Sequence, residues 1–220
     1  MSWLLRRRTL YTVLVLDLLL VTLAMVAYLC LSRGEVEALD DYGEAPSWTL
    51  SDQLGRQVDS DEFRGEVVVA NFIYTNCRDT CPLLSLRMQL LQRRLREEGL
   101  LGERVQLLSF STDPDRDTPQ VLRRYATSFQ ANPKSWRFLT GREAEMRRIV
   151  VGGFKLGVEE VPLEATPHAH GDGATHRHSY DVMHSNRFAL IDSKGRIRAL
   201  YHGTELDIER VVRDIRRLLR

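Results

Sequence analysis

Between Leu10 and Leu31 the chain carries a single charged residue, Asp17. A run of that length is enough to cross a hydrocarbon core as one helix. The 220 residues therefore divide into an apolar anchor and a core-forming domain. Arg6-Arg7-Arg8 precedes the run, and a basic cluster of this kind stays on the cytoplasmic side, so the remainder is expected outside, in a periplasm or equivalent space. A cleaved leader has a shorter apolar core and a small-residue cleavage site, and Tyr28-Leu29-Cys30 offers none. The expected boundaries are a cytoplasmic N-terminus at 1–9, a transmembrane anchor at 10–31, a polar tether at 32–44 and a folded domain at 45–220. Leu29 before Cys30 is a poor match to a lipoprotein site, and Asp17 is an acid that one helix tolerates or pairs.

Charge excludes little beyond nucleic acid. Setting aside Arg6, Arg7, Arg8 and Asp17 leaves 28 basic and 29 acidic residues from totals of 31 and 30, a neutral domain with no basic stripe. Arginine outnumbers lysine, a weak pointer to a GC-rich bacterial genome. Ala45–Leu50 alternates, Gly55 marks a turn, and Gln57-Val58 follows, which predicts an N-terminal hairpin. Val67–Tyr74 reads as a buried strand. Leu84, Met88, Leu91 and Leu95 then recur at helical steps. A second strand is expected at Val105–Ser111, and Thr118 followed by Pro119 reads as the N-cap and first position of the helix after it. Trp136–Leu139, a helix from Arg142 to Val151, a strand pair at Phe188–Asp192 and Ile197–Tyr201, and a closing helix with Ile208, Val211, Val212, Ile215 and Leu219 inward complete the pattern. Strands and helices alternate and an antiparallel pair finishes the sheet, an α/β layered domain.

Two of the three cysteines, Cys77 and Cys81, lie at the first strand-to-helix turn. Extending the apolar stripe backwards from Leu84 places both sulfurs on one face at the positive end of a helix that starts near Arg78, where thiolates are stabilised. Sulfurs so placed can form a disulfide, attack one, or hold a soft metal. Glu164–Ser179 holds His168, His170, His176 and His178 among Gly, Ala, Asp and Thr without apolar periodicity. It is expected to be a surface loop whose His-x-His pairs bind a metal weakly, if at all. Asp113, Asp115 and Asp117 read as a solvated turn rather than a cation site. Motifs of serine hydrolases, phosphate loops and zinc proteases are absent.

Four segments carry a resemblance. Thr75–Pro82 (Thr-x-Cys-x-x-x-Cys-Pro), Ser111–Pro119, Trp136–Gly141 and Tyr180–Ser185 follow in the order of the Sco copper-chaperone family. The chain resembles that family in its membrane-anchored, thioredoxin-like form, from about Ala45 to the C-terminus. The resemblance implies a thioredoxin-like fold with an N-terminal hairpin behind a single transmembrane helix. It also implies one copper held by Cys77, Cys81 and His184, for assembly of the binuclear copper site of cytochrome c oxidase. The implied partners are the oxidase subunit that carries that site, and a thiol–disulfide reductant or another copper chaperone. The implied location is a bacterial inner membrane, single-pass, with the C-terminal domain in the periplasm. This sequence departs from the family pattern in its His-rich insertion and in lacking a proline at Arg78-Asp79-Thr80.

The chemistry of the residues is compatible with that ligand set. Cu(I) is soft and accepts low coordination, so two thiolates and an imidazole form a trigonal site; Cu(II) is the other oxidation state to consider. The alternative is a periplasmic thiol–disulfide oxidoreductase or redox sensor using Cys77 and Cys81 as its redox pair. Cys-x-x-x-Cys spacing differs from the Cys-x-x-Cys of thioredoxin-type enzymes. Tyr180–Leu190 also lacks the proline such enzymes carry before the strand facing the site. The expectation is therefore a metallochaperone rather than an enzyme. The two activities are compatible, since a Cys77–Cys81 disulfide must be reduced before Cu(I) binds. A metal buffer centred on the histidine loop is a third class.

Overall fold

The computed structural model describes residues 2–31, 38–77, 80–154, 160–162, 180–182 and 186–220, with side chains along the first helix described at 14–28. The chain forms two compact units, Met1–Ala38 and Leu39–Arg220. The first is helix α1, Ser2–Leu31, thirty residues long. Among its described side chains Leu16, Leu19, Leu23 and Val26 are all exposed. Among the described residues no helix is long and apolar enough to cross a membrane.

The second unit is built on a seven-stranded sheet. The expected N-terminal hairpin is present as β1 (Thr49–Asp52) and β2 (Gln57–Asp59), antiparallel, with Leu50 opposite Val58. Asp52 shapes its turn: the buried carboxylate accepts from the backbone N–H groups of Leu54 and Arg56, at 2.8 and 2.9 Å. The central strands are β3 (Val67–Ile73) and β4 (Val105–Ser111), and every residue of both is buried. They pair in parallel, as a strand–helix–strand crossover requires. β5 (Trp136–Thr140) continues the parallel set beyond β4. On the other side β8 (Arg187–Ile191) runs antiparallel to β3, and β9 (Ile197–His202) antiparallel to β8. The order across the sheet is β2-β1-β5-β4-β3-β8-β9. Two short strands, β6 (Glu160–Pro162) and β7 (Tyr180–Val182), pair separately. They flank the histidine-rich segment, which lies outside the described residues.

Strict alternation along β3 sorts the core into two layers. Val67, Val69 and Ile73 face α2 (Thr80–Glu97), α3 (Pro119–Ser128) and α5 (Ile208–Leu218), and pack with Leu84, Met88, Leu91, Leu122, Val211 and Ile215. Val68, Ala70 and Phe72 face the hairpin and the stretch formed by α4 (Glu143–Arg147) with the π-turn Arg148–Gly153, which supplies Ile149 and Val150. The apolar stripe on α2 is the one the sequence spacing predicts, and Leu84, Met88, Leu91 and Leu95 are all fully buried. Thr118 caps α3 with Pro119 at its first turn, as its residue order predicts.

Residues 39–45 lie along the open edge of β9. Tyr42 N–H donates to Ile197 O and Ile197 N–H to Gly43 O, both at 2.9 Å, and Ala45 N–H donates to Gly195 O. Arg198 reaches the carbonyls of Leu39 and Asp40, and Arg196 pairs with Asp41 at 2.8 Å. Part of the segment expected as a tether thus pairs with unpaired backbone groups of an edge strand.

Candidate metal centre

The site sits where β3 hands over to α2. Ile73 is the last residue of β3, and its carbonyl accepts from Thr112 N–H at 2.8 Å, so the ends of β3 and β4 are tied together. The chain then turns through Tyr74, Thr75 and Asn76, with Cys77 N–H donating to Tyr74 O at 3.3 Å. Helix α2 begins at Thr80. Cys77 lies before the described part of the helix, and Arg78 and Asp79 between them lie outside the described residues. The sulfur of Cys77 nonetheless serves the helix end, accepting from Cys81 N–H at 3.3 Å. That contact satisfies one of the N–H groups that every helix N-terminus leaves unpaired.

Both cysteines are reduced thiols and both are buried, Cys77 at 8% and Cys81 at 0% exposure. The expected lowering of thiol pKa at a helix N-terminus is overruled at Cys81. Burial pushes that thiol well above its ordinary range, with further upward pushes from Cys77 and the carboxylate of Asp117; a hydrogen bond from the Tyr74 backbone only partly offsets them. Ionisation inside an apolar cluster costs more than the helix end returns. Cys81 belongs to the buried apolar cluster that also holds Leu84, Met88, Phe188 and Tyr201. Such a thiol is a poor spontaneous nucleophile, and a cation that replaces its proton removes the cost.

One residue missed from the sequence stands beside the pair. Asp117 was expected in a solvated turn, yet it is 0% exposed. Its carboxylate accepts from Thr75 N–H at 3.2 Å to each oxygen, from Thr75 Oγ1 at 2.5 Å and from Ser111 Oγ at 2.6 Å. Burial pushes its pKa up while those hydrogen bonds pull it down. Tyr125 of α3 also borders the site, its hydroxyl 2.9 Å from Ser85 Oγ. Nothing in periodicity marks Asp117, because acidic residues in a polar turn are ordinarily exposed. Its position directly before the cap Thr118 and just past β4 was the available clue.

The remaining expected ligands, His184 and the loop residues His168, His170, His176 and His178, lie outside the described residues. Among the described residues no group of three His, Cys, Asp or Glu is placed to hold a metal. The chain is described again from Asn186, whose carbonyl accepts from Gly203 N–H at 2.6 Å. Gly203 sits against Leu84, one turn along α2 from Cys81, and against Phe188. The two sulfurs are soft donors that fit a soft monovalent ion.

Comparisons with known proteins agree with the fold. The SCO1/SenC family profile matches residues 37–220. The SCO1 protein homolog of Bacillus subtilis is 30% identical over 163 residues, covering 74% of this chain and 75% of that protein. A Stutzerimonas stutzeri protein named for copper binding is 31% identical over 186 residues, covering 84% of this chain and 82% of its own. Among solved structures, BsSco, described as a Sco-family cytochrome c oxidase assembly protein with a disulfide switch, superposes with a TM-score of 0.67 at 28% identity. That match covers 83% of this chain and 97% of BsSco.

Proposed function

Because this chain belongs to the SCO1/SenC family, we propose that it is a membrane-anchored copper chaperone serving assembly of the binuclear copper site of cytochrome c oxidase. The observation that carries the reading is the pair of buried thiols at the start of α2, linked by the Cys81 N–H···Sγ contact to Cys77 at 3.3 Å. Cu(I) would be held by Cys77 and Cys81 as thiolates and by His184 as the third ligand, and Cu(II) is the second candidate state. Asn186, two residues past His184, is bonded to Gly203 beside Leu84. Copper supplies soft-ligand exchange: an imidazole on a separate segment can detach before the thiolates do, which suits hand-over to a recipient. Burial favours the neutral Cys81 thiol, so a bound soft cation competes with protons, and loading is expected to release them.

Helix α1 is proposed as the single-pass anchor in a bacterial inner membrane, with residues 1–9 in the cytoplasm, 10–31 in the bilayer and the domain in the periplasm. The sequence supports this: the run from Leu10 to Leu31 carries a single charge, and Arg6-Arg7-Arg8 precedes it. The proposed partners are the copper-site subunit of the oxidase and a thiol–disulfide reductant or another copper chaperone. The second reading, a thiol–disulfide oxidoreductase or redox sensor, is favoured by the disulfide switch described for BsSco. His168, His170, His176 and His178 are proposed as a weak accessory site.

Complementation tests the assignment. In a strain lacking this gene, grown with limiting copper, oxidase activity should be restored by the wild-type chain and not by Cys77→Ala/Cys81→Ala or His184→Ala. Full activity in the deletion strain would refute the assembly role. Rescue by His184→Ala but not by the cysteine variant would shift the assignment to disulfide exchange.

A further inference from the structure

Asp117 is a carboxylate with no exposed surface, and all its donors among the described residues are neutral. Burying a charged acceptor is costly unless several hydrogen bonds meet it. Here they come from two different elements. Ser111 is the last residue of β4, and Thr75 lies two residues before Cys77 in the turn that follows β3. Ser111 Oγ also accepts from Asp113 N–H at 3.1 Å, and Asp117 N–H donates to Asp113 O at 2.9 Å, so the carboxylate is held from its own side too. Thr118 then caps α3. An amide would keep only part of this set, because its NH₂ cannot accept from the Ser111 hydroxyl or the Thr75 N–H as the second carboxylate oxygen does.

We propose that Asp117 is the positioning residue of the cysteine pair, fastening the turn before Cys77 to the end of β4 and thereby setting the stability of the Cys77–Cys81 disulfide. This rests on the reading that Cys77 and Cys81 are the working pair. The turn is also tied by Cys77 N–H to Tyr74 O, by Cys81 N–H to Cys77 Sγ and, at its base, by Thr112 N–H to Ile73 O. Fastening it raises the effective concentration of the Cys77 sulfur at Cys81, and that concentration enters the disulfide equilibrium directly. Without the carboxylate the turn loses the bonds to both Thr75 groups at once, and the sulfurs meet less often.

The test is a metal-free redox equilibrium on the full chain in detergent against reduced and oxidised dithiothreitol. Forming the Cys77–Cys81 bond moves two electrons and two protons from the thiols to the cyclic dithiothreitol disulfide, whose S–S bond breaks to give the dithiol. The oxidised fraction is read by acid trapping and mass analysis of the peptide that carries both cysteines. Asp117→Asn and Asp117→Ala should each lower the equilibrium constant for disulfide formation about tenfold, a potential about 30 mV less reducing. Ser111→Ala and Thr75→Val should move it the same way by a few-fold. Asp117→Ala/Ser111→Ala should be no lower than Asp117→Ala, because the hydroxyl has already lost its acceptor. A lowered melting temperature with an unmoved constant in every variant would overturn the proposal and leave Asp117 purely structural. A shift in Asp117→Asn with none in Ser111→Ala or Thr75→Val would also overturn it, since charge rather than fastening would then be at work. Should an Asp117 variant fail to fold, the two hydroxyl variants decide. Failure of the wild type to bind copper would refute the chaperone reading and leave this measurement intact.

Discussion

Gly203 stands at the junction between β8, β9 and the first turns of α2. A methyl group added there would overlap the Cδ2 of Leu84 and lie 3.1 Å from both Asn186 O and Phe188 Cε2. Leu84 and Phe188 are fully buried, so neither can swing into solvent. The backbone is equally constrained, because Gly203 N–H donates to Asn186 O at 2.6 Å. Gly203→Ala is therefore an overpacking change, expected to cost about 2 kcal/mol within the usual 1–3. For a domain of this size that lowers Tm by about 4–8 °C. Leu84→Ala alone should cost about 2–5 kcal/mol through its cavity. In the double variant the new methyl occupies space the leucine has vacated, so the combined loss should fall short of the sum by about 1–2 kcal/mol. Thermal unfolding of the four proteins by circular dichroism in one detergent closes the cycle. A neutral Gly203→Ala, or additivity within about 0.5 kcal/mol, would refute the packing described at this junction.

Three further outcomes are expected. Cys81 should react with iodoacetamide at pH 8.5 at least about tenfold more slowly in the folded chain than in the denatured one, because burial holds its proton; equal rates by peptide mass analysis would contradict that. Burial raises the Asp117 pKa above 3.8, so the folded state holds this proton more tightly than the unfolded state. Its stabilisation is then fully present below the unfolded pKa and is lost as pH rises through the folded value. Wild type should accordingly gain on Asp117→Asn in chemical denaturation as pH is lowered toward 4, and a constant or opposite difference would refute the sign. Asp52→Ala strips two backbone N–H groups of a buried acceptor and should cost about 1–3 kcal/mol, measured by the denaturation midpoint; no loss would mean the turn holds without it.

The central layers were legible because they rest on burial patterns that sequence displays. Val67–Ile73 and Val105–Ser111 are apolar enough on both faces to be central strands, and the α2 stripe has one period and one solution. Gly55 marked its turn through composition alone. Other features depend on contacts far apart in sequence. Nothing local says that residues 39–45 will pair with Gly195 and Ile197, since the open edge of β9 exists only after the sheet forms. The Cys81 thiol shows a competition that a motif does not reveal: helix position lowers a thiol pKa, burial raises it, and only packing says which prevails. Asp117 escaped for a related reason. Its run of acids and turn formers resembles any solvated loop, and its burial follows from Thr75, in the turn after β3, and Ser111, at the end of β4, converging on it.

The most direct test of the copper assignment is an anaerobic Cu(I) titration of the reduced full chain against a competing chelator, with Cys77→Ala/Cys81→Ala and His184→Ala beside it. The account expects one tight equivalent that the cysteine changes abolish and His184→Ala weakens. Tight binding that survives loss of both cysteines would move the site to the histidine loop, and no tight cysteine-dependent equivalent would contradict the chaperone assignment outright.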